Sequence, residues 1–285
     1  MSGRAPGRRL MATPRRRFGR RDVTLSALAL GTMRLAPPKF DADSALALLL
    51  HLSDHGVSSF HVSHEYDSHP FVCQALAALR RARPAAPIEL IAKLAAPHFD
   101  EAGFSAQSLR ARVEALLRQL PAERVDVAQW MVRHTPNDDA PRLDILRRDR
   151  DAIAEAADRL KAEGKIGAFA MFPYSEPFRA AALAEPFVDG LVDYLNPREL
   201  EAAPWLDRLQ AAGQGFVALR PLFAGDLPRD PASVAAALRF PLLHPATTAI
   251  VVSLSDRDQA DQAIAAAAAP ADGEAFAQAL SAYRR

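Results

Sequence analysis

Short apolar or β-branched runs alternate with longer Ala- and Leu-rich amphipathic segments along nearly the whole chain, and few folds satisfy that rhythm. The runs read as strands over Leu28–Leu30, Ser58–Val62, Glu89–Lys93, Val125–Met131, Gly167–Met171, Gly190–Tyr194, Gly215–Leu219 and Thr248–Val252. Helices fit between and after them at Ser44–His55, Pro70–Arg80, Ser105–Leu120, Asp149–Glu163, Pro177–Ala184, Trp205–Ala212, Ser233–Leu238 and Arg257–Ala269. Ser105 precedes a run of helix formers, and Gly56, Gly164 and Gly213 follow last turns. Leu28–Leu30 is the weakest of the strand runs. Eight βα units without a Gly-rich dinucleotide-binding turn predict an α/β fold of the closed (β/α)8 TIM-barrel type.

A chain of 285 residues can form such a barrel as one domain, and no linker interrupts it. Its 49% hydrophobic and 24% charged residues are an ordinary globular balance. No apolar run approaches the roughly 18 residues that a membrane span needs, so no membrane association is expected. The single cysteine, Cys73, excludes an internal disulfide framework and suits a cytoplasmic protein. Eight arginines and no acid fall within residues 1–21, leaving 27 basic against 34 acidic side chains in the rest. A basic arm can bind nucleic acid, but an acidic body is a poor platform for it, and Phe18 is the lone aromatic among the charges. Residues 1–16 are therefore expected to be a disordered leader, with the barrel over residues 17–285 and no nucleic-acid partner.

In a (β/α)8 barrel, reactive side chains sit where strands run out into the following loops. The second, third and fourth predicted strands end in His61–Tyr66, Lys93 and Met131–His134. Gly31-Thr32-Met33 follows the first strand, and Phe18-Gly19-Arg20 precedes it. Leu160-Lys161-Ala162-Glu163-Gly164-Lys165-Ile166, Asn196-Pro197, Arg220-Pro221-Leu222 with Gly225, and His244-Pro245 through Val252 follow in order. This ordered set, from about Arg17 to Ala269, resembles the aldo/keto reductases and supports the barrel count.

The resemblance implies hydride transfer between NADP(H) and a small carbonyl or alcohol, with Tyr66 as proton donor. In that family a Lys lowers the pKa of the Tyr, an Asp holds the Lys, and a His orients the carbonyl. Tyr66 and Lys93 match, but His61 stands at the Asp position and Met131 at the His position. Met131 cannot donate a hydrogen bond, and losing one transition-state donor costs about a hundredfold to a thousandfold. Neutral His61 can accept a proton from Lys93, whereas protonated His61 repels it. A buried Lys without its counter-ion tends toward a lower pKa and can then act as base or Schiff-base nucleophile.

Gly31, Thr32, Met33, Arg220, Pro221, Leu222, Ser253, Arg257 and Gln259 are the expected cofactor-binding positions. Where the family carries a Ser-Asn pair against the nicotinamide, this chain has Phe172-Pro173. Where it carries Gln and a stacking Tyr, this chain has Val192 and Leu195, with Asp193 or Tyr194 reached by a one-residue slip. Alternative readings are a non-catalytic barrel that binds a protein partner, and a Lys93-based enzyme without hydride transfer. His61, His64 and His134, with Glu65 or Asp67, have a generic spacing that predicts polar loop residues rather than a metal site. The loops Pro37–Asp41, Pro97–Phe104, Thr135–Arg150 and Phe223–Pro231 are expected to set specificity, with Pro136–Asp151 a solvated loop or lid.

Overall fold

The computed structural model describes residues 12–134, 139–226 and 230–284. It opens with an antiparallel hairpin, β1 (Arg15–Arg17) and β2 (Thr24–Ser26), in which Arg16 faces Leu25. Eight strands then follow: β3 (Leu28–Gly31), β4 (Ser59–Ser63), β5 (Glu89–Ala95), β6 (Val125–Met131), β7 (Ile166–Met171), β8 (Gly190–Tyr194), β9 (Gly215–Leu219) and β10 (Thr247–Val252). All neighbours are parallel, and β10 pairs with both β9 and β3, so the sheet closes into a barrel. The protein is an α/β (β/α)8 barrel.

Around the barrel run α1 (Ala42–Asp54), α2 (His69–Ala82), α3 (Ala106–Gln119), α4 (Asp139–Arg148), α5 (Arg150–Ala162), α6 (Glu176–Ala184), α7 (Leu206–Ala212), α8 (Pro231–Leu243), α9 (Arg257–Ala268) and α10 (Gly273–Tyr283). Their starts are chemically marked. Asp41 and Ser44 form a reciprocal capping box on α1, and Ser105, Ser175, Asp230, Asp256 and Asp272 each accept an N-terminal amide.

Two elements depart from expectation. Part of the predicted Thr135–Arg150 loop is helix α4; residues 135–138 of that loop lie outside the described residues. Its buried stripe is Arg142, Ile145 and Leu146, at helical spacing, and Arg142 stacks its guanidinium 3.7 Å from the centroid of the Tyr174 ring. A charged residue facing inward hides the amphipathic pattern from a hydropathy reading. Helix α10 was not expected either; it packs Phe276 at 5.2 Å on Phe240 of α8.

Strand alternation divides the apolar interior into two clusters. Outward-facing residues such as Phe60, Leu90, Trp130, Phe169 and Phe216 pack beneath the helices. Inward-facing Ala29, Ile91, Val127, Ala168, Val192, Val217 and Ala249 fill the barrel with Phe18, Val23 and Leu25 of the hairpin. Phe18 closes the end of the barrel at which the strands begin. A Cβ at Gly215 would meet its ring at 2.5 Å and one at Gly190 at 2.7 Å, so both strand starts need glycine. Arg15 pairs with Glu89 at 2.5 Å, and Arg16 donates to the carbonyls of Leu242 and Thr247 at 3.1 and 3.0 Å. Arg15 and Arg16, expected in the leader, are thus fastened to the barrel, while residues 1–11 lie outside the described residues.

Candidate active site

At the opposite end, the strand ends surround a cleft of about 1190 Å³. Its walls include Gly31, Met33, His61, Tyr66, Lys93, Met131, Arg133, Phe172, Pro173, Tyr194, Arg220, Pro221, Leu222, Ser253 and Gln259. Strand parity explains the gathering. His61, Lys93, Met131 and Phe172 occupy inward positions at the ends of successive strands, and the register sets Lys93 opposite Ser63 and Gln129. Tyr66 follows β4 in a turn whose Tyr66 N–H donates to the Ser63 carbonyl at 3.3 Å.

Lys93 Nζ lies 5.0 Å from the centroid of the Tyr66 ring. Burial, reinforced by the Arg133 charge and opposed by Glu65, holds its pKa below the ordinary lysine value. Burial first, then Glu65, pushes the Tyr66 phenol above its ordinary value, so it is protonated at neutral pH. His61 does not bond Lys93. Its Nε2–H donates to Gln129 Oε1 at 2.8 Å inside the barrel, where side chains from alternate strands meet. Burial and the nearby Lys93 charge drive the His61 pKa down to about 4, so its imidazole is neutral.

Two ion pairs at the cleft escaped the sequence reading. Glu65 binds Arg133, which holds the Glu65 carboxyl below its usual range despite burial. Arg133 and Gln129 share the parity of Met131, a period-two signal that could have found both. Arg179 of α6 donates through Nε and Nη2 to Asp193 Oδ2 at 3.0 and 2.7 Å, with both side chains buried. Burial raises Asp193 to about 6 although Arg179 opposes it.

The expected cofactor positions separate into three groups. Gly31, Met33, Arg220, Pro221, Leu222, Ser253 and Gln259 line the cleft. Thr32 is buried beneath it, donating its hydroxyl to the His61 carbonyl at 2.9 Å. Arg257 sits at the start of α9 and is not among the lining residues. Val192 lies inside the barrel and Leu195 outside it, whereas the Tyr194 ring enters the cleft, 5.3 Å from Phe172 and 4.8 Å from the Arg220 guanidinium. Among the described residues, no three His, Cys, Asp or Glu side chains gather as a metal-binding set.

The segment after β9 is the most unusual backbone of the cleft. Arg220, Phe223 and Ala224 have φ of 55°, 46° and 57°, and they are the only non-glycine residues with positive φ among those described. Gly225 follows at φ 99°, with open space where a Cβ would stand. Asn196 braces this segment by donating to the Arg220 carbonyl at 3.0 Å, and Glu199 pairs with Arg220 at 3.1 Å.

A barrel with these strand-end residues has known counterparts. Residues 27–230 match the model of the Aldo/keto reductase family, and the chain belongs to that family. A search among curated proteins finds no match. Among solved structures, the holo form of an aldo-keto reductase from Bacillus halodurans is similar over 95% of this chain and 96% of its own, at 18% identity and TM-score 0.74. An aldo-keto reductase from Klebsiella pneumoniae, in complex with NADPH, is similar over 96% of both chains, at 19% identity and TM-score 0.71. At these identities the likeness is one of fold.

Proposed function

We propose that this barrel is an oxidoreductase that moves hydride between NADP(H) and a small carbonyl or alcohol, with Tyr66 as the proton donor. The observation that carries this reading is the meeting of Tyr66 and Lys93 in the cleft, 5.0 Å from ring to ammonium, in a member of the aldo/keto reductase family. A phenol kept protonated by burial can donate to a developing alkoxide, and the Arg133 charge opposes that burial and favours the phenolate left behind.

The residues present fit the cofactor unevenly. Arg220 and the left-handed turn through Gly225 offer a cation and an open backbone to phosphate, and Ser253 and Gln259 add polar atoms. Tyr194 offers a ring face. Phe172, Pro173 and Val192 bring no side-chain hydrogen bonds to a carboxamide, although the buried Nη1 of Arg179, a lining residue, lacks a partner. We assign Arg220, Pro221, Leu222, Ser253 and Gln259 to holding the cofactor, which supplies the hydride when bound. Met131 brings no hydrogen-bond donor to the carbonyl, and we assign the proton transfer to Tyr66.

Calorimetric titration with NADPH and with NADH tests the reading. Saturable binding below millimolar concentration is expected, and no binding of either nucleotide would sink it. Tyr66→Phe should lower kcat by about a hundredfold or more while leaving nucleotide affinity unchanged, since general acid catalysis supplies about that much.

A further inference from the structure

We propose that Lys93 is a nucleophile that condenses with an aldehyde or ketone in the cleft to form an imine, without any nicotinamide cofactor. This goes beyond the reductase reading. The chain has 31 arginines and only four lysines, and an arginine cannot do this chemistry because it stays protonated. Three of the lysines are tied. Lys39 bonds the Ser255 hydroxyl, Lys161 pairs with Asp158 at 3.0 Å and Asp189 at 3.4 Å, and Lys165 pairs with Glu114 at 2.9 Å. Lys93 lines the cleft and, among the described residues, has no carboxylate within ion-pair distance.

The groups around Lys93 favour a free amine. His61 is neutral and committed to Gln129, so it supplies no counter-charge. Glu65 is committed to Arg133. The Tyr66 ring covers one side at 5.0 Å, and Met131 adds an apolar wall. With no carboxylate among the described residues in ion-pair contact, burial and the Arg133 charge lower its pKa, outweighing the Tyr66 ring face and the Glu65 charge, which favour the ammonium. Each unit of lowering gives about tenfold more free amine near neutral pH.

The step balances without an oxidant or reductant. The Nζ lone pair attacks the carbonyl carbon, the C–N bond forms, and the carbonyl π pair moves to oxygen. Tyr66 protonates that oxygen and recovers a proton from nitrogen, giving a carbinolamine. The C–O bond then breaks with loss of water, leaving the C=N bond to Lys93. Net, one carbonyl and one amine become one imine and one water.

The test uses the full chain, free of nicotinamide nucleotides, incubated at pH 7 with propanal or pyruvate and cyanoborohydride, followed by peptide mass spectrometry. Lys93 is expected to be alkylated at least about tenfold faster than exposed Lys39, because a buried amine without a carboxylate partner sheds its proton more readily. Tyr66→Phe should slow labelling of Lys93 and leave Lys39 unaffected. Labelling of Lys93 no faster than Lys39 with both probes overturns the proposal. With no nucleotide present, that failure leaves the reductase reading untouched, and failed nucleotide binding leaves this proposal standing.

Discussion

His61 and Gln129 form a buried polar contact in an otherwise apolar barrel, and that contact gives stability a pH dependence. The folded-state pKa of His61, about 4, lies below the ordinary value of 6.5. Between those values the unfolded chain takes up a proton that the folded chain refuses, so stability present above pH 6.5 is lost as pH falls toward 4. The loss amounts to at most about 3 kcal/mol. Urea unfolding of the wild type at pH 7 and pH 5 should show a drop in midpoint that His61→Asn abolishes; an equal drop in the variant would refute the assignment. Tyr66, Lys93 and Met131 drew notice in the sequence through the family resemblance, and the structure brings all three to the cleft, Lys93 and Met131 from strands and Tyr66 from the turn after β4. The partners were not legible. Parity could have placed Arg133 at the cleft, but its pairing with Glu65, and that of Arg179 with Asp193, is set by the packing of separate elements.

At the scale of elements, all eight barrel strands were legible, three with unchanged bounds and five with bounds moved by one or two residues. Their apolar runs are continuous because helices cover one face and the barrel interior the other. Helix α4 was not legible, since Arg142 takes a place in its buried stripe. The segment Arg220–Gly225 also hid its nature, because nothing in Arg220, Phe223 or Ala224 announces a left-handed backbone. Such residues cost about 1–3 kcal/mol each and persist where the surroundings over-determine them. Ala224→Gly removes that cost but adds backbone freedom to the unfolded chain, for a net gain of up to about 1 kcal/mol. A raised urea midpoint is the expected result. If the strained turn meets the cofactor's phosphate, as proposed, the same variant should weaken NADPH binding; unchanged affinity would count against that role.

At the scale of the whole molecule, stability and chemistry occupy opposite ends of the barrel. Phe18 is fully buried against the strand starts, so Phe18→Ala should cost about 3–5 kcal/mol, read as a lower melting temperature and urea midpoint. Cleft residues should be unaffected, with the Tyr66 and Lys93 chemistry of the remaining folded fraction unchanged; loss of labelling or turnover out of proportion to folding would show that the two ends are coupled. The hairpin has one more consequence. It stoppers the barrel at the strand starts while apolar side chains fill the interior, so His61 and Met131 are reached from the cleft side. A ligand there meets a floor rather than a tunnel, and leaves by the way it came.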